Sequence, residues 1–279
     1  MRARYFNAQD LNLGRDNHCR ASASGLACYQ SNSGPPPNSP DFPNATAALA
    51  DIVNGAPPFA TVAMDIGPSG RVNFYAFNNA TDSIVVAADL DTDGKKAIPH
   101  ACAACHGGTY DPTTHTMSNA SFLPFDVFGF QFASAPGFLL ADQQETFRKL
   151  NSLVKASQPN LTNPHNPIVT FIDGAYGGGV DVAGSTPSDS WVPAGWTQKP
   201  NVYEGFKRTC RTCHLAVDSS KDFTSYAQLK SLLVPVQVDI CTSYVMPHAE
   251  VPYRKFWLNT NIYIPGYWQD PSVLGITCP

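Results

Sequence analysis

Hydrophobic and polar positions alternate most regularly between residues 58 and 90. Val62, Met64 and Ile66 fall on one side of residues 61–66, and residues 72–77 repeat the two-residue period. Residues 83–88 add a third apolar run, and Gly67-Pro68-Ser69-Gly70 and Asn78-Asn79 separate the runs as turns. This predicts an antiparallel meander of three or more strands, with Met64 toward its core. Helical spacing appears later. Phe147, Leu150 and Val154, with Leu153 beside them, predict an amphipathic helix over 143–156, opened by a capping-box arrangement of Asp142 and Glu145 and stopped by the prolines from Pro159 onward. Asn201, with Glu204 three positions on, opens a further helix that sets Tyr203, Phe206 and Cys210 on one face. Phe223, Tyr226, Leu229 and Leu233 predict another over 223–233, and residues 253–257 a short last one. Residues 1–57 show no period and read as irregular, with a polyproline-like loop over 31–40.

The chemistry is concentrated in one pattern that occurs twice, at Cys102-Ala103-Ala104-Cys105-His106 and at Cys210-Arg211-Thr212-Cys213-His214. On a helical turn, two thiols three positions apart face the same way and the next imidazole lies beside them. That is the attachment signature of a c-type haem, in which both thiols add to vinyl groups and the histidine ligates the iron. A thioredoxin-like pair needs no histidine at that position. A zinc ribbon places its two pairs about 15–20 residues apart, far closer than Cys105 and Cys210. Pro99 suits the start of the first motif's helix and Gly107-Gly108 its end.

Over residues 201–258 the order is a helix ending in C-x-x-C-H, an intervening helix, a Met246-Pro247 loop and an aromatic terminal helix. This order resembles a class I cytochrome c, and the chain as a whole resembles a di-haem c-type cytochrome. The resemblance implies two covalently bound haem c groups, with His106 and His214 as proximal ligands. It makes Met246 the distal ligand of the second haem, with His248 as competitor. No Met-Pro follows the first motif at a comparable distance. Its sixth ligand is left among His18, Met64, His115, Met117 and His165, with His18 the named candidate, or the position is open.

The expected fold class is α+β, a small N-terminal antiparallel sheet region followed by two mainly helical, loop-rich haem regions. The division is 1–97 for the β-rich region, with a disulfide-closed loop; 98–172 for the first haem region; 173–200 for a Gly/Pro/Ser-rich connection; and 201–279 for the second haem region. The resemblance implies electron transfer between redox partner proteins outside the cytoplasm. One alternative is an enzyme similar to di-haem cytochrome c peroxidases, with an open distal site at the first haem. Another is a cytochrome subunit or domain of a larger redox complex.

Composition narrows this picture. The 20 Gly and 24 Pro favour a loop-rich chain. A net charge of −4, made more negative by haem propionates, argues against nucleic acid and anionic membrane surfaces as partners. Four of the eight cysteines lie outside the motifs. Haem attachment of this kind takes place where disulfides persist, so Cys19–Cys28 and Cys241–Cys278 are the expected pairs. Residues 1–6 carry no apolar secretory segment, which predicts a chain trimmed after export. No apolar run reaches the ~18 residues of a membrane span. Phe-rich residues 121–132 are expected to wall the first haem, and Trp191 and Trp196 to cap an interface between the haem regions. Residues 89–94 begin like a calcium loop, but His100 stands where its closing Glu belongs, so they read as a polar turn. The Gly-rich stretch 173–200 lacks the strand–helix setting of a phosphate loop. No acid–base pair or nucleophile constellation stands out, and no catalytic residue is assigned.

Overall fold

In the computed structural model, which describes residues 1–89, 94–159, 166–216, 221 and 224–232, three strands precede the expected meander. They are β1 (Arg2–Asn7), β2 (Leu13–Ser22) and β3 (Gly25–Ser33). This corrects the reading of residues 1–57 as irregular. The strands escape a hydrophobicity pattern because the buried face of β2 is partly polar. Arg15 and Asn17 alternate with Leu13 and Cys19, and all four are buried. Arg15 is satisfied by Asp10 at 3.2 Å, and Asn17 donates to Gln30 at 3.2 Å. The β2–β3 register sets Cys19 directly opposite Cys28, and a disulfide joins them as expected, with Cα atoms 4.1 Å apart.

Helix α1 (Ala45–Asn54) follows. The Asn44 side chain caps it by accepting from the Ala47 N–H at 3.0 Å, and Gly55 closes it in the left-handed region. The expected meander is then present as β4 (Ala60–Ile66), β5 (Val72–Asn78) and β6 (Ser83–Val85). The third predicted strand breaks at Val86, and β7 (Ala87–Ala88) pairs instead with β8 (Lys96–Ala97). Helix α2 (His100–His106) carries the first motif and leads into the hairpin of β9 (Thr109–Asp111) and β10 (Thr116–Ser118). Strand β11 (Phe130–Gln131) returns to pair with β1, completing a seven-stranded antiparallel sheet in the order β11-β1-β2-β3-β4-β5-β6.

Helix α3 (Leu140–Ala156) buries Phe147, Leu150 and Val154, the face predicted for it. It starts earlier than expected, and the capping box is not formed. Leu139 is the cap residue, and Asp142 accepts from the Gly137 N–H of the preceding loop at 2.8 Å. The Gln143 side chain bonds the Arg4 N–H at 2.6 Å and the Arg4 carbonyl at 2.9 Å. It therefore serves as a substitute strand where short β11 leaves β1 unpaired. Glu145 receives two bonds from Arg148, at 2.8 and 2.7 Å, and one from the Gly184 N–H at 3.2 Å. These donors hold its carboxyl down at about 2, against an ordinary 4.5. A depressed acid contributes stability that is complete above its ordinary pKa and lost as pH falls toward the folded value. Glu145→Gln is therefore expected to flatten the pH dependence of unfolding between about 4.5 and 2. Urea titrations across that window check it.

Asn166 caps α4 (Pro167–Ala175) by accepting from the Ile168 and Val169 N–H groups, each at 3.1 Å. Ile168, Phe171 and Ile172 join Phe147, Leu150 and Val154 in one core with Tyr5 and Leu26 of the sheet. At Gly174 a Cβ would stand 1.9 Å from the Trp191 ring. Trp191 packs on Phe171 from that side. Gly174→Ala is expected to displace the indole and cost ~1–3 kcal/mol, read as a lower urea midpoint with a shifted tryptophan emission.

Helix α5 (Pro200–Thr209) begins at Pro200, with Lys199 as its cap residue, so Asn201 lies inside the helix rather than capping it. Cys210 turns the chain into α6 (Arg211–His214). Ser225 caps α7 (Tyr226–Ser231), which is shorter than the predicted 223–233. Phe223, Leu233, Cys241, Met246, His248, Cys278, His165 and the predicted helix at 253–257 lie outside the described residues. Among the described residues no helix is long and apolar enough to cross a membrane.

Candidate functional site

Helix α2 places Cys102 and Cys105 one turn apart and stops at Gly107, whose φ of 68° ends the helix just after His106. The ring of His106 is tied down at once. Its Nδ1 lies 2.9 Å from the Ser121 carbonyl oxygen, and the Ser121 N–H donates back to the His106 carbonyl at 2.9 Å. A carbonyl can only accept, so Nδ1 carries the proton and Nε2 presents its lone pair. The second motif repeats the device, with His214 Nδ1 2.8 Å from the Lys221 carbonyl. Burial favours the neutral ring and lowers the pKa of His106, opposed in part by the bond to Ser121.

The motif thiols are half-buried, and none forms a disulfide. Burial, then the neighbouring Cys105, pushes Cys102 up to about 12. A hydrogen bond with Cys105, then burial, raises Cys213 well above the ordinary thiol range. These are protonated thiols at neutral pH, unlike the lowered thiolates of a dithiol oxidoreductase. Among the described residues no three His, Cys, Asp or Glu side chains converge as ligands for a single ion.

A cleft of about 230 Å³ runs between the sheet and α2. Met64, Phe74, Phe122, Phe125 and Phe130 supply apolar walls beside Cys102, Cys105 and His106, and the lining also carries Lys96 and the ion-paired Arg15 and Asp10. The Phe74 ring lies 5.3 Å from the His106 ring. Of the Phe-rich residues 121–132, Phe122, Phe125 and Phe130 line this cleft. Thr212 and Cys213 line the same cleft, which brings the second motif to the first.

Arg211, between the two cysteines of the second motif, is buried. It binds Asp126 through Nε at 3.1 Å and through Nη2, donates to the Tyr203 hydroxyl at 3.2 Å, and lies 4.5 Å over the Phe171 ring. Asp126 follows the Ser121 that anchors His106, so one short segment holds both motifs. Trp196 is fully buried against Phe206, with ring centroids 5.4 Å apart, and Phe206 lies 6.4 Å from the His214 ring. Trp196 thus backs the second motif, whereas Trp191 packs on α4 through Phe171.

The sixth-ligand candidates separate clearly. Met64 is buried, faces Phe74 across the strand pair, and lines the cleft with His106. His18 points elsewhere: its Nε2 is 3.0 Å from Asp16 and its ring stacks on Tyr29 at 4.6 Å. The structure therefore does not bring His18, the named candidate, to the first motif, because it alternates onto the sheet face opposite Asn17 and Cys19. His115 sits at the tip of the β9–β10 hairpin with φ 53°, 3.0 Å from the Tyr110 hydroxyl. Met117 is buried on β10, away from the cleft lining.

Sequence reasoning missed Ser121, Asp126, Arg15 and the role of Arg211. Only Arg211 carried a signal, as a charge inside a motif. Asp126 lies 85 residues from its partner, and Ser121 acts through its backbone. No protein-family model, curated protein or solved structure matches this chain.

Proposed function

We propose that the protein is a di-haem c-type cytochrome that transfers electrons between redox proteins outside the cytoplasm. The observation that carries this reading is the repeated histidine arrangement. Each C-x-x-C helix ends in an imidazole whose Nδ1 is held by a backbone carbonyl, leaving Nε2 as a ligand. The donor set also fits: each motif supplies two free thiols, and each S–H would add across one vinyl group, its sulfur going to one carbon and its hydrogen to the other. When bound, haem supplies a one-electron ferric/ferrous couple.

The chain's own residues do the rest. Cys102 and Cys105, and likewise Cys210 and Cys213, would hold the two groups covalently. His106 and His214 would each offer Nε2 as an iron ligand. Phe74, Phe122 and Phe125 exclude water from the first site, which limits reorganisation on electron transfer. Met64 is the sixth-ligand candidate that lines the first cleft, and Met246 remains the proposed partner of His214. The Cys19–Cys28 disulfide agrees with an oxidising compartment.

The test is expression with a haem-attachment apparatus, followed by intact mass and spectroscopy. Two covalent haems per chain, low-spin when ferric and closed to carbon monoxide when ferrous, are expected. Met64→Ala should open one haem to carbon monoxide. A bare-polypeptide mass would end the cytochrome reading. Rapid carbon monoxide binding to one haem of the unaltered protein would turn it into the peroxidase-like reading.

A further inference from the structure

The seven-stranded sheet has a second face, turned away from the cleft. Register fixes its members, because residues directly opposite on neighbouring strands point the same way. Arg2, His18, Tyr29, Ala63 and Tyr75 form one row across β1 to β5. Helix α1 covers one end of this face at Gly14, where a Cβ would meet Ala48 and Ile52. Beyond that end Tyr29 is 46 % exposed. The His18 ring stacks on Tyr29 at 4.6 Å with an interplanar angle of 7°, so the Tyr29 ring is held upright on the sheet. Its other side looks over Ala63 toward Tyr75, two strand spacings or ~10 Å away at the backbone. A methyl group is too small to fill that gap, so the two tyrosines wall a slot with Ala63 as its floor. The chain carries a net charge of −4, yet this face is basic. Arg2, Arg4, Arg20 and Arg71 outnumber Asp16 and Asp65 on it. Asp16 is taken by Arg2 at 2.5 Å, whereas Arg20 and Arg71 are exposed at its margins. From this juxtaposition we propose that the face binds an acidic polysaccharide, with one uronic-acid ring between Tyr29 and Tyr75 and the carboxylates of neighbouring rings on Arg20 and Arg71.

The two features select this ligand together. A pyranose ring presents C–H bonds on its faces and hydroxyls around its rim. The C–H faces suit the negative face of a tyrosine ring. The rim needs polar partners on both sides of the slot. Ser31 and Thr61, whose hydroxyl oxygens lie 3.4 Å apart, stand on one side. Asp65, which accepts from the Asn73 amide at 2.8 Å, stands on the other. A uronic acid adds one carboxylate per ring, which a guanidinium binds through paired N–H bonds. An acidic polypeptide offers the carboxylates but no sugar face for the slot. A neutral glycan fills the slot but leaves Arg20 and Arg71 without a counter-charge. The inference does not rest on the cytochrome reading, since the face lies on the far side of the sheet from both cysteine motifs.

The experiment is affinity electrophoresis of the full chain through gels containing polygalacturonate, alginate, hydroxyethyl cellulose or polyglutamate. Retardation is expected in polygalacturonate or alginate, and to a much smaller degree in the other two. Tyr29→Ala with Tyr75→Ala should weaken that binding about tenfold, as the loss of two ring contacts from one site implies. Arg20→Ala with Arg71→Ala should weaken it and flatten its dependence on salt. No retardation by either acidic polysaccharide overturns the proposal. So does equal retardation by polyglutamate, which would make the face a docking surface for acidic proteins, or by hydroxyethyl cellulose, which would leave the arginines without a part. Tyrosine variants that bind as the parent does would show that charge alone is at work. If those variants fail to fold, the comparison of the four polymers with the unaltered protein decides the matter.

Discussion

Replacing Cys102 and Cys105 together with Ala is expected to halve the covalent haem content. The pyridine haemochrome absorbance per chain should fall twofold, and the intact mass should drop by one haem. The argument is local. The two thiols lie one helical turn apart on α2, and among the described residues of the cleft the other free thiol is Cys213, which belongs to the other motif. The reciprocal change at Cys210 and Cys213 should give the same halving. A single change at Cys102 should keep that haem on one thioether and move its absorption maximum. Two haems retained in the first double variant would break the link between these sulfurs and the cofactor.

The second large effect concerns Arg211. The Arg211 and Asp126 side chains are each 4 % exposed, and the Asp126 Oδ1 has no hydrogen-bond partner among the described residues. Asp126 therefore depends on Arg211 through a single oxygen. Burial lowers the pKa of Arg211, but the Asp126 carboxylate and the Tyr203 hydroxyl outweigh it and raise it above the ordinary value, so the guanidinium stays charged. Arg211→Met removes the cation and leaves a buried, unpaired carboxylate. Breaking a buried pair on one side costs ~3–5 kcal/mol, whereas replacing both members with apolar groups is often close to neutral. Arg211→Met is expected to lower stability by that amount in urea unfolding. Arg211→Met with Asp126→Leu should recover most of it. A single variant within ~1 kcal/mol of the parent, below that range, would show that the pair does not hold the motifs together.

Strand β4 was legible because Val62, Met64 and Ile66 share one face while Thr61 and Asp65 take the other, so the two-residue period survives in the sequence. Strand β2 was not, because its buried face carries Arg15 and Asn17, whose burial is tolerated only once Asp10, Asn32 and Gln30 are in place. The face of α3 was readable from Phe147, Leu150 and Val154. Its start was not, since Asp142 bonds a loop N–H rather than capping the helix. His18 drew attention by standing beside a disulfide cysteine. Strand alternation turns the two side chains to opposite faces, and Asp16 and Tyr29 take the imidazole.

The amino-acid order alone determined the reactive groups and their local geometry: two thiols and an imidazole within one helical turn, twice, and a neighbouring cysteine pair able to close. Such features depend on separations of a few residues, which backbone periodicity sets wherever the helix or hairpin forms. Tertiary structure decided which groups meet. It brought Met64 rather than His18 to the first cleft, gave Arg211 its carboxylate, locked both histidine tautomers through carbonyls outside the motifs, and brought Cys213 to the cleft that Cys105 lines. Those contacts follow from sheet register and from the requirement that buried charge find a partner, and neither is written in any short stretch of the chain.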